Sequence, residues 1–284
     1  MEILSVQHLS KHYPKFDLKD VSFSLEQGFI MGFIGSNGAG KTTTLKSMLG
    51  MVHKDGGTVS MLGMDFDQHE LEIKQHLGFM FGGVDYYAKT KIRTITEVVR
   101  RFYREWDESI YQKYMKRFSL DESKRPSELS SGMRIKYSLV LALSHRAKLL
   151  LLDEPTSGLD PVARDNLLEL FQEFIEDGER SILFSTHITS DLEKCADYIT
   201  YIENGRIIES RAKDDLLQAY RLVKGTSQQL PALQARLIAN KTHAYGFSGL
   251  IKTTDLESAD HLEIEAPTLE DIMIYYAKKE GLNE

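Results

Sequence analysis

The chain has 284 residues, with 35 Lys+Arg against 42 Asp+Glu, a formal net charge of −7. That length holds a full hydrophobic core without staples, and the mild acidity argues against a protein built to wrap nucleic acid. Cys195 is the only cysteine, which excludes an intrachain disulfide and a cysteine-cluster metal site.

The first 34 residues read as strands. Val21, Phe23 and Leu25 alternate with Ser22, Ser24 and Glu26, the period of a half-buried strand. Phe29 to Ile34 is a continuous apolar run, as expected of a strand covered on both faces. A glycine-rich turn follows, then a helix over Thr42–Leu49. Residues 57–63 and 77–81 are short strand candidates. From about 89 to 145 the pattern turns helical. Ile92, Ile95, Val98, Val99, Phe102 and Trp106 recur at spacings of three and four, which predicts a buried stripe. Strand and helix then alternate: strands at Leu149–Leu152 and Ser181–Ser185, helices at Val162–Ile175 and Ser190–Cys195. Tyr198–Glu203 and Arg206–Glu209 flank Asn204-Gly205, a strong hairpin signal. The alternation predicts an α/β fold with a mainly parallel sheet. Residues 217–284 carry no readable chemistry. No apolar run approaches the ~20 residues of a membrane span, and the start MEILSVQHL lacks a signal-peptide core. A membrane role would need spanning helices from a partner.

Gly35-Ser36-Asn37-Gly38-Ala39-Gly40-Lys41-Thr42 fits G-x-x-x-x-G-K-[ST] and lies between a predicted strand and a predicted helix. Glycines let backbone amides approach phosphate oxygens, and the helix aims its positive end at the anion. Lys41 supplies a charge to the β- and γ-phosphates, and the Thr42 hydroxyl suits Mg²⁺. Leu149–Leu152 ends in Asp153-Glu154. In an open parallel sheet, ligands sit at the C-terminal strand edge, so Asp153 falls near the metal and Glu154 is placed to deprotonate water. His187 follows the strand ending at Thr186 and reaches the same edge, where an imidazole can donate to a phosphate oxygen. Ser130, Ser131 and Gly132 precede a predicted helix, a second anion site that a monomer would not need.

Residues 2–210 resemble the nucleotide-binding subunit of ATP-binding cassette (ABC) transporters. Leu129-Ser130-Ser131-Gly132-Met133 is similar to the family signature Leu-Ser-Gly-Gly-Gln, Ser157-Gly158-Leu159-Asp160 to its D-loop, and His187 to its switch histidine. The resemblance implies a P-loop NTPase core with an N-terminal antiparallel β subdomain and an inserted helical subdomain at about 86–145. Residues 1–216 would form the ATPase domain and 217–284 a small accessory region. It implies ATP and Mg²⁺ as ligands, with Gly35 to Thr43 on the phosphates, Thr42 and Asp153 on the metal, Glu154 and His187 catalytic, and Asp160 bridging subunits. Tyr13 stands where the family stacks adenine, with Phe16 as the competing aromatic. A second copy or a homologous chain would supply Ser130, Ser131 and Gly132 to the γ-phosphate, head to tail. A membrane-spanning permease on a separate chain is the implied partner, which places this chain in the cytoplasm, peripheral on the inner membrane face. Residues 266–276 resemble the bacterial subgroup exporting peptides, antibiotics and toxins, nearest to phenol-soluble-modulin exporter ATPases. The departures are Ser131 and Met133 in the signature, and Gly82 where the family places a loop Gln, with Asp85 nearby. They bear on turnover and coupling. They also keep open an ATP-gated regulatory module with weak or no hydrolysis. A soluble, non-transport ABC ATPase is the other alternative, disfavoured by a length that leaves no room for a second cassette or a coiled coil. Tyr86 and Tyr87, in the loop after the strand at 77–81, are candidate contacts for the permease.

Overall fold

The computed structural model describes residues 1–81, 87–257 and 262–281, and the chain divides into two units, 1–208 and 209–284. The first opens with β1 (Glu2–Tyr13) and β2 (Phe16–Glu26), an antiparallel hairpin, then β3 (Ile30–Ile34) and α1 (Lys41–Met48). Next come β4 (Gly56–Met61), β5 (Met64–Asp65), α2 (Phe66–Gln75) and β6 (Leu77–Phe81). The helical stretch holds α3 (Ile92–Val99), α4 (Glu108–Arg117) and α5 (Ser131–Leu143). It is followed by β7 (Leu149–Asp153), α6 (Pro161–Ile175), β8 (Ser181–Thr186), α7 (Thr189–Cys195), β9 (Tyr198–Glu203) and β10 (Arg206–Ala212).

Two sheets result. The first, in order β2-β1-β4-β5, is antiparallel. The second, in order β10-β9-β3-β8-β7-β6, is parallel from β9 through β6. Val21, Phe23 and Leu25 point into the core between them, joined by Leu4, Leu45, Met48, Leu149 and Leu151. β3, β7 and β8 are buried at every position, as a strand covered on both faces must be. Parallel strands share a polarity, so the C-terminal ends of β3, β7 and β8 meet along one edge, and the site is built there. The β9–β10 turn has positive φ at both Asn204 (47°) and Gly205 (73°), the geometry of a type I′ turn.

The helical stretch has its own core of Ile92, Ile95, Tyr111, Met115, Tyr137 and Val140. Inside it, the Thr96 hydroxyl lies 3.1 Å from the Tyr111 hydroxyl and 2.9 Å from that of Tyr137, so every buried polar atom of the trio has a partner. The expected stripe breaks here. α3 stops at Val99, a single 3₁₀ turn covers Arg100–Phe102, and Asp107 caps a new helix by accepting from the amides of Ser109 and Ile110. Val98 and Phe102 are 50% and 71% exposed, not buried. Trp106 does pack on the core. Spacing alone could not show the break, because the apolar rhythm runs on through the residues where the helix ends.

Just past α5, His145 is buried and stacks on Tyr103, with ring centroids 3.8 Å apart and planes 8° from parallel. Burial disfavours its charged form and, with His76 nearby, holds it down at about 4. The unfolded chain binds the proton near 6.5, so between these values it holds more protons than the native state. Stability therefore falls as pH drops through that window, by about 2 kcal/mol at pH 5 relative to pH 7.5. Denaturant melts at both pH values, compared with a His145→Phe variant, check this. The variant should lose that part of the pH dependence; an identical dependence would refute the assignment.

The second unit continues from β10 through α8 (Lys213–Gln218) to β11 (Tyr220–Gly225), α9 (Leu230–Leu233), β12 (Leu237–His243), β13 (Gly246–Lys252), β14 (Glu263–Glu265) and α10 (Leu269–Gly281). Its antiparallel sheet runs β12-β13-β11-β14 over a small core of Val223, Leu233, Phe247 and Ile251. The buried Tyr220 hydroxyl donates to the Glu209 carboxylate and lies 2.7 Å from that of Tyr276, and burial pushes its pKa up. Among the described residues, no helix is long and apolar enough to cross a membrane.

Candidate functional site

β3 delivers the chain to Gly35 and α1 takes it up at Lys41. Gly40, the cap of α1, has φ 115°, and a Cβ there would come within 2.8 Å of Leu18 and Phe16. Only glycine fits both the angle and the space. The Lys41 ammonium is buried. It donates to the carbonyls of Gly35 (2.7 Å) and Ser36 (3.2 Å), so the loop curls around its own lysine. The loop is also held from behind. Ser36 Oγ donates to Glu203 Oε1 (2.7 Å), and the Gly205 amide donates to the Ala39 carbonyl (2.9 Å).

The acids at the end of β7 meet this loop. Asp153 Oδ2 accepts from Thr42 Oγ1 at 2.8 Å and Oδ1 from Ser185 Oγ at 2.5 Å. Thr42 and Asp153 thus present hard oxygen donors side by side, a donor set that fits Mg²⁺. Glu154 has φ 52°, a left-handed backbone that costs a non-glycine residue free energy and concentrates at functional sites. Its amide donates to the carbonyl and hydroxyl of Ser185, at 3.1 Å each, which fixes that conformation. The Glu154 carboxylate then sits between two groups. Oε1 is 3.6 Å from Lys41 Nζ, and Oε2 is 2.9 Å from His187 Nδ1.

Lys41, Thr42, Glu154 and His187 line one cavity of about 740 Å³, within the ordinary range for small-molecule sites. Its walls are Tyr13, Lys15 and Phe16, loop residues Ser36, Asn37, Gly38 and Gly40 to Thr43, and Glu154, Ser157 and His187. Tyr13 and Phe16 face each other across the β1–β2 turn, so both aromatics border the cleft. Lys11 lies over the Tyr13 ring at 5.4 Å. Ser157, from the D-loop segment, reaches the cavity as well, while Ser185, Glu203 and Lys15 are additions that the sequence does not single out as site residues. The Ser185-Thr186-His187 triplet was the available signal for Ser185, and nothing in the sequence around Glu203 marked it.

The signature residues lie apart from this cavity. Ser130 is exposed and caps α5, accepting from the Met133 amide at 3.2 Å. Exposed Ser131 borders the D-loop, its Oγ 3.8 Å from where a Cβ on Gly158 would stand. A Cβ on Gly132 would touch Leu159 at 3.0 Å. Asp160 caps α6 by accepting from the amides of Val162 (3.1 Å) and Ala163 (2.9 Å), and these bonds hold its carboxyl below the usual range. Gly82, Asp85 and Tyr86 lie outside the described residues, and Tyr87 is 70% exposed.

The family model described as ABC transporter matches residues 18–157. ABC transporter ATP-binding protein YtrB of Bacillus subtilis (strain 168) is 34% identical over 203 residues, 72% of this chain and 69% of the relative. Lantibiotic transport ATP-binding protein SrtF of Streptococcus pyogenes is 31% identical over 214 residues, 75% of this chain and 92% of the relative. A solved structure of an ATP binding subunit of an ABC transporter superposes with a TM-score of 0.68 at 28% identity, covering 75% of this chain and 91% of the other.

Proposed function

Since the chain belongs to the ATP-binding proteins of ABC transporters, we propose that it powers a peptide or antimicrobial exporter by closing head to tail with a second nucleotide-binding subunit around Mg·ATP. Its enzymatic activity is ATP hydrolysis. The row Lys41, Glu154, His187 at one strand edge carries the reading. The antimicrobial cargo is supported by the lantibiotic transport relative. A separate membrane-spanning permease would convert closure into transport, with this chain cytoplasmic and peripheral on the membrane's inner face. Residues 1–216 act as the ATPase domain and 217–284 as an accessory. The chain carries both halves of the composite site, which allows a homodimer, and a homologous second subunit would serve equally.

Each residue has a job its position allows. Tyr13 or Phe16 stacks adenine, and Gly35 to Thr43 wraps the phosphates around the Lys41 charge. Thr42 and Asp153 would hold Mg²⁺, which when bound neutralises charge on the phosphate oxygens. Glu154 accepts the proton of the attacking water. His187, hydrogen-bonded to that same carboxylate, orients it, and its N–H would turn to a γ-phosphate oxygen once nucleotide is bound. Ser130, Ser131 and Gly132 of the opposing subunit cap the γ-phosphate, and Asp160 contacts that subunit. Cleavage removes the group both chains share, so the closed form loses its differential stability.

The test is mass. A Glu154→Gln chain in saturating Mg·ATP should double its mass by light scattering and return to monomer in Mg·ADP. A monomer under both conditions would sink the head-to-tail arrangement.

A further inference from the structure

α6 begins one residue after Asp160, and α7 begins two residues after His187. The first turns of these helices carry Arg164 and Asp191. Asp191 is 1% exposed, yet its Oδ2 has no hydrogen-bond partner, and neither has the buried Nε of Arg164. Arg164 Nε stands 3.9 Å from Asp191 Oδ1, inside ion-pair range and too long for a hydrogen bond. A buried charge and a buried donor left in this condition cost free energy. An approach on the order of 1 Å would bring Arg164 Nε within hydrogen-bond range of Oδ1 and its charge closer to Oδ2.

The surroundings fix one side of the pair. The Leu192 side chain fills the space beside Gly32 of β3, where a Cβ would come within 2.3 Å of it, so α7 is keyed to the sheet. The Ile188 amide donates to Thr186 Oγ1 (3.0 Å) and the Asp191 amide to the Ile188 carbonyl (3.2 Å), so Asp191 is rigidly tied to the His187 loop. On the other helix, the Arg164 amide donates to the Asp160 carbonyl at 2.9 Å. Next to this pair, Lys194 and Asp165 join the same two helices at 2.8 Å, but both are more than half exposed.

We infer that Arg164 and Asp191 are a positioning pair for hydrolysis: their contact shortens when the cleft closes and sets the His187 loop and the Asp160 turn in register. This rests on the roles proposed above for His187 and Asp160. Neither residue of the pair touches nucleotide, so the pair should act on the rate of the committed complex and leave affinity alone.

A double-mutant cycle on the full chain tests it, reading kcat, KM and the Mg·ATP dissociation constant. Asp191→Asn and Arg164→Gln should each lower kcat about tenfold, with affinity within about twofold. The double variant should fall no further than the slower single. Lys194→Ala should leave kcat within about twofold, since an exposed pair contributes little. Effects that multiply in the double variant would overturn the inference. So would a loss confined to melting temperature with kcat per folded molecule intact, or an equal loss in Lys194→Ala. If Asp191→Asn does not fold, Arg164→Lys decides: partial recovery over Arg164→Gln supports the pair, and none overturns it. His187→Ala, assayed alongside, separates the premises. Full activity there removes the role of His187 itself, whereas its loss beside a non-coupled cycle removes only this inference.

Discussion

Lys41→Ala should raise the dissociation constant for Mg·ATP by about three orders of magnitude, ~4 kcal/mol. The size follows from where the ammonium sits. It is buried, and its donors already bind two loop carbonyls on the inner rim of the phosphate loop, at 2.7 and 3.2 Å. A phosphate entering the cleft meets a charge that needs no reorganisation, and charge-assisted bonds of this kind contribute about 1.5–3 kcal/mol each. Truncation costs more than these bonds. The carbonyls of Gly35 and Ser36 lose their donor, and the Glu154 carboxylate loses its lysine neighbour at 3.6 Å, keeping only the His187 contact among its ion-pair partners in the described residues. Its charge then faces incoming phosphate with less compensation. Titration calorimetry measures the effect directly, and a dissociation constant within tenfold of the parent would contradict the placement of Lys41 at the phosphates.

Glu154→Gln has the opposite profile. Nucleotide affinity should change by no more than a few-fold, while kcat falls about a thousandfold, in the middle of the range for removing a general base. Glutamine matches the carboxylate in shape and can keep the 2.9 Å contact to His187, so the cleft keeps its form. What disappears is the acceptor for the water's proton. The backbone argument points the same way. The left-handed conformation at residue 154 is held by two bonds from its own amide to Ser185, which the substitution leaves in place. Phosphate-release kinetics at saturating Mg·ATP, paired with a binding titration, make the measurement. Turnover above a tenth of the parent rate would move the proton acceptor to another group.

The parts of this protein that sequence could reveal are those where one residue type is physically required. Gly40 must accept φ 115° against Phe16 and Leu18, and Lys41 must reach back to the loop, so the phosphate loop is written in residues with few substitutes. The all-apolar β7 could only be a covered strand, which placed Asp153 and Glu154 at its end. The hidden parts depend on contacts distant in sequence. α2 is mostly polar, buries only Phe66 and Ile73, and is interrupted at His69, so it leaves too little periodicity to read. The end of α3 is decided by the caps around Asp107, which the apolar spacing of Phe102 and Trp106 masks. In the second unit, one apolar cluster gathers Val223, Leu233, Phe247 and Ile251 from three separate elements, a pattern hard to see along the chain. Glu203 came to the site through sheet order, because β9 lies beside β3.

Gly205 illustrates how far such a dependence can extend. A Cβ at this hairpin turn would fall 1.8 Å from the Asp17 carbonyl, and its amide supports Ala39. A residue that never meets the nucleotide thus works as the keystone behind the anion-binding arch. The phosphate grip is therefore set by chain geometry 166 positions downstream of Ala39, and drift at that remote bend would register as weakened affinity and not as a visible lesion in the loop itself.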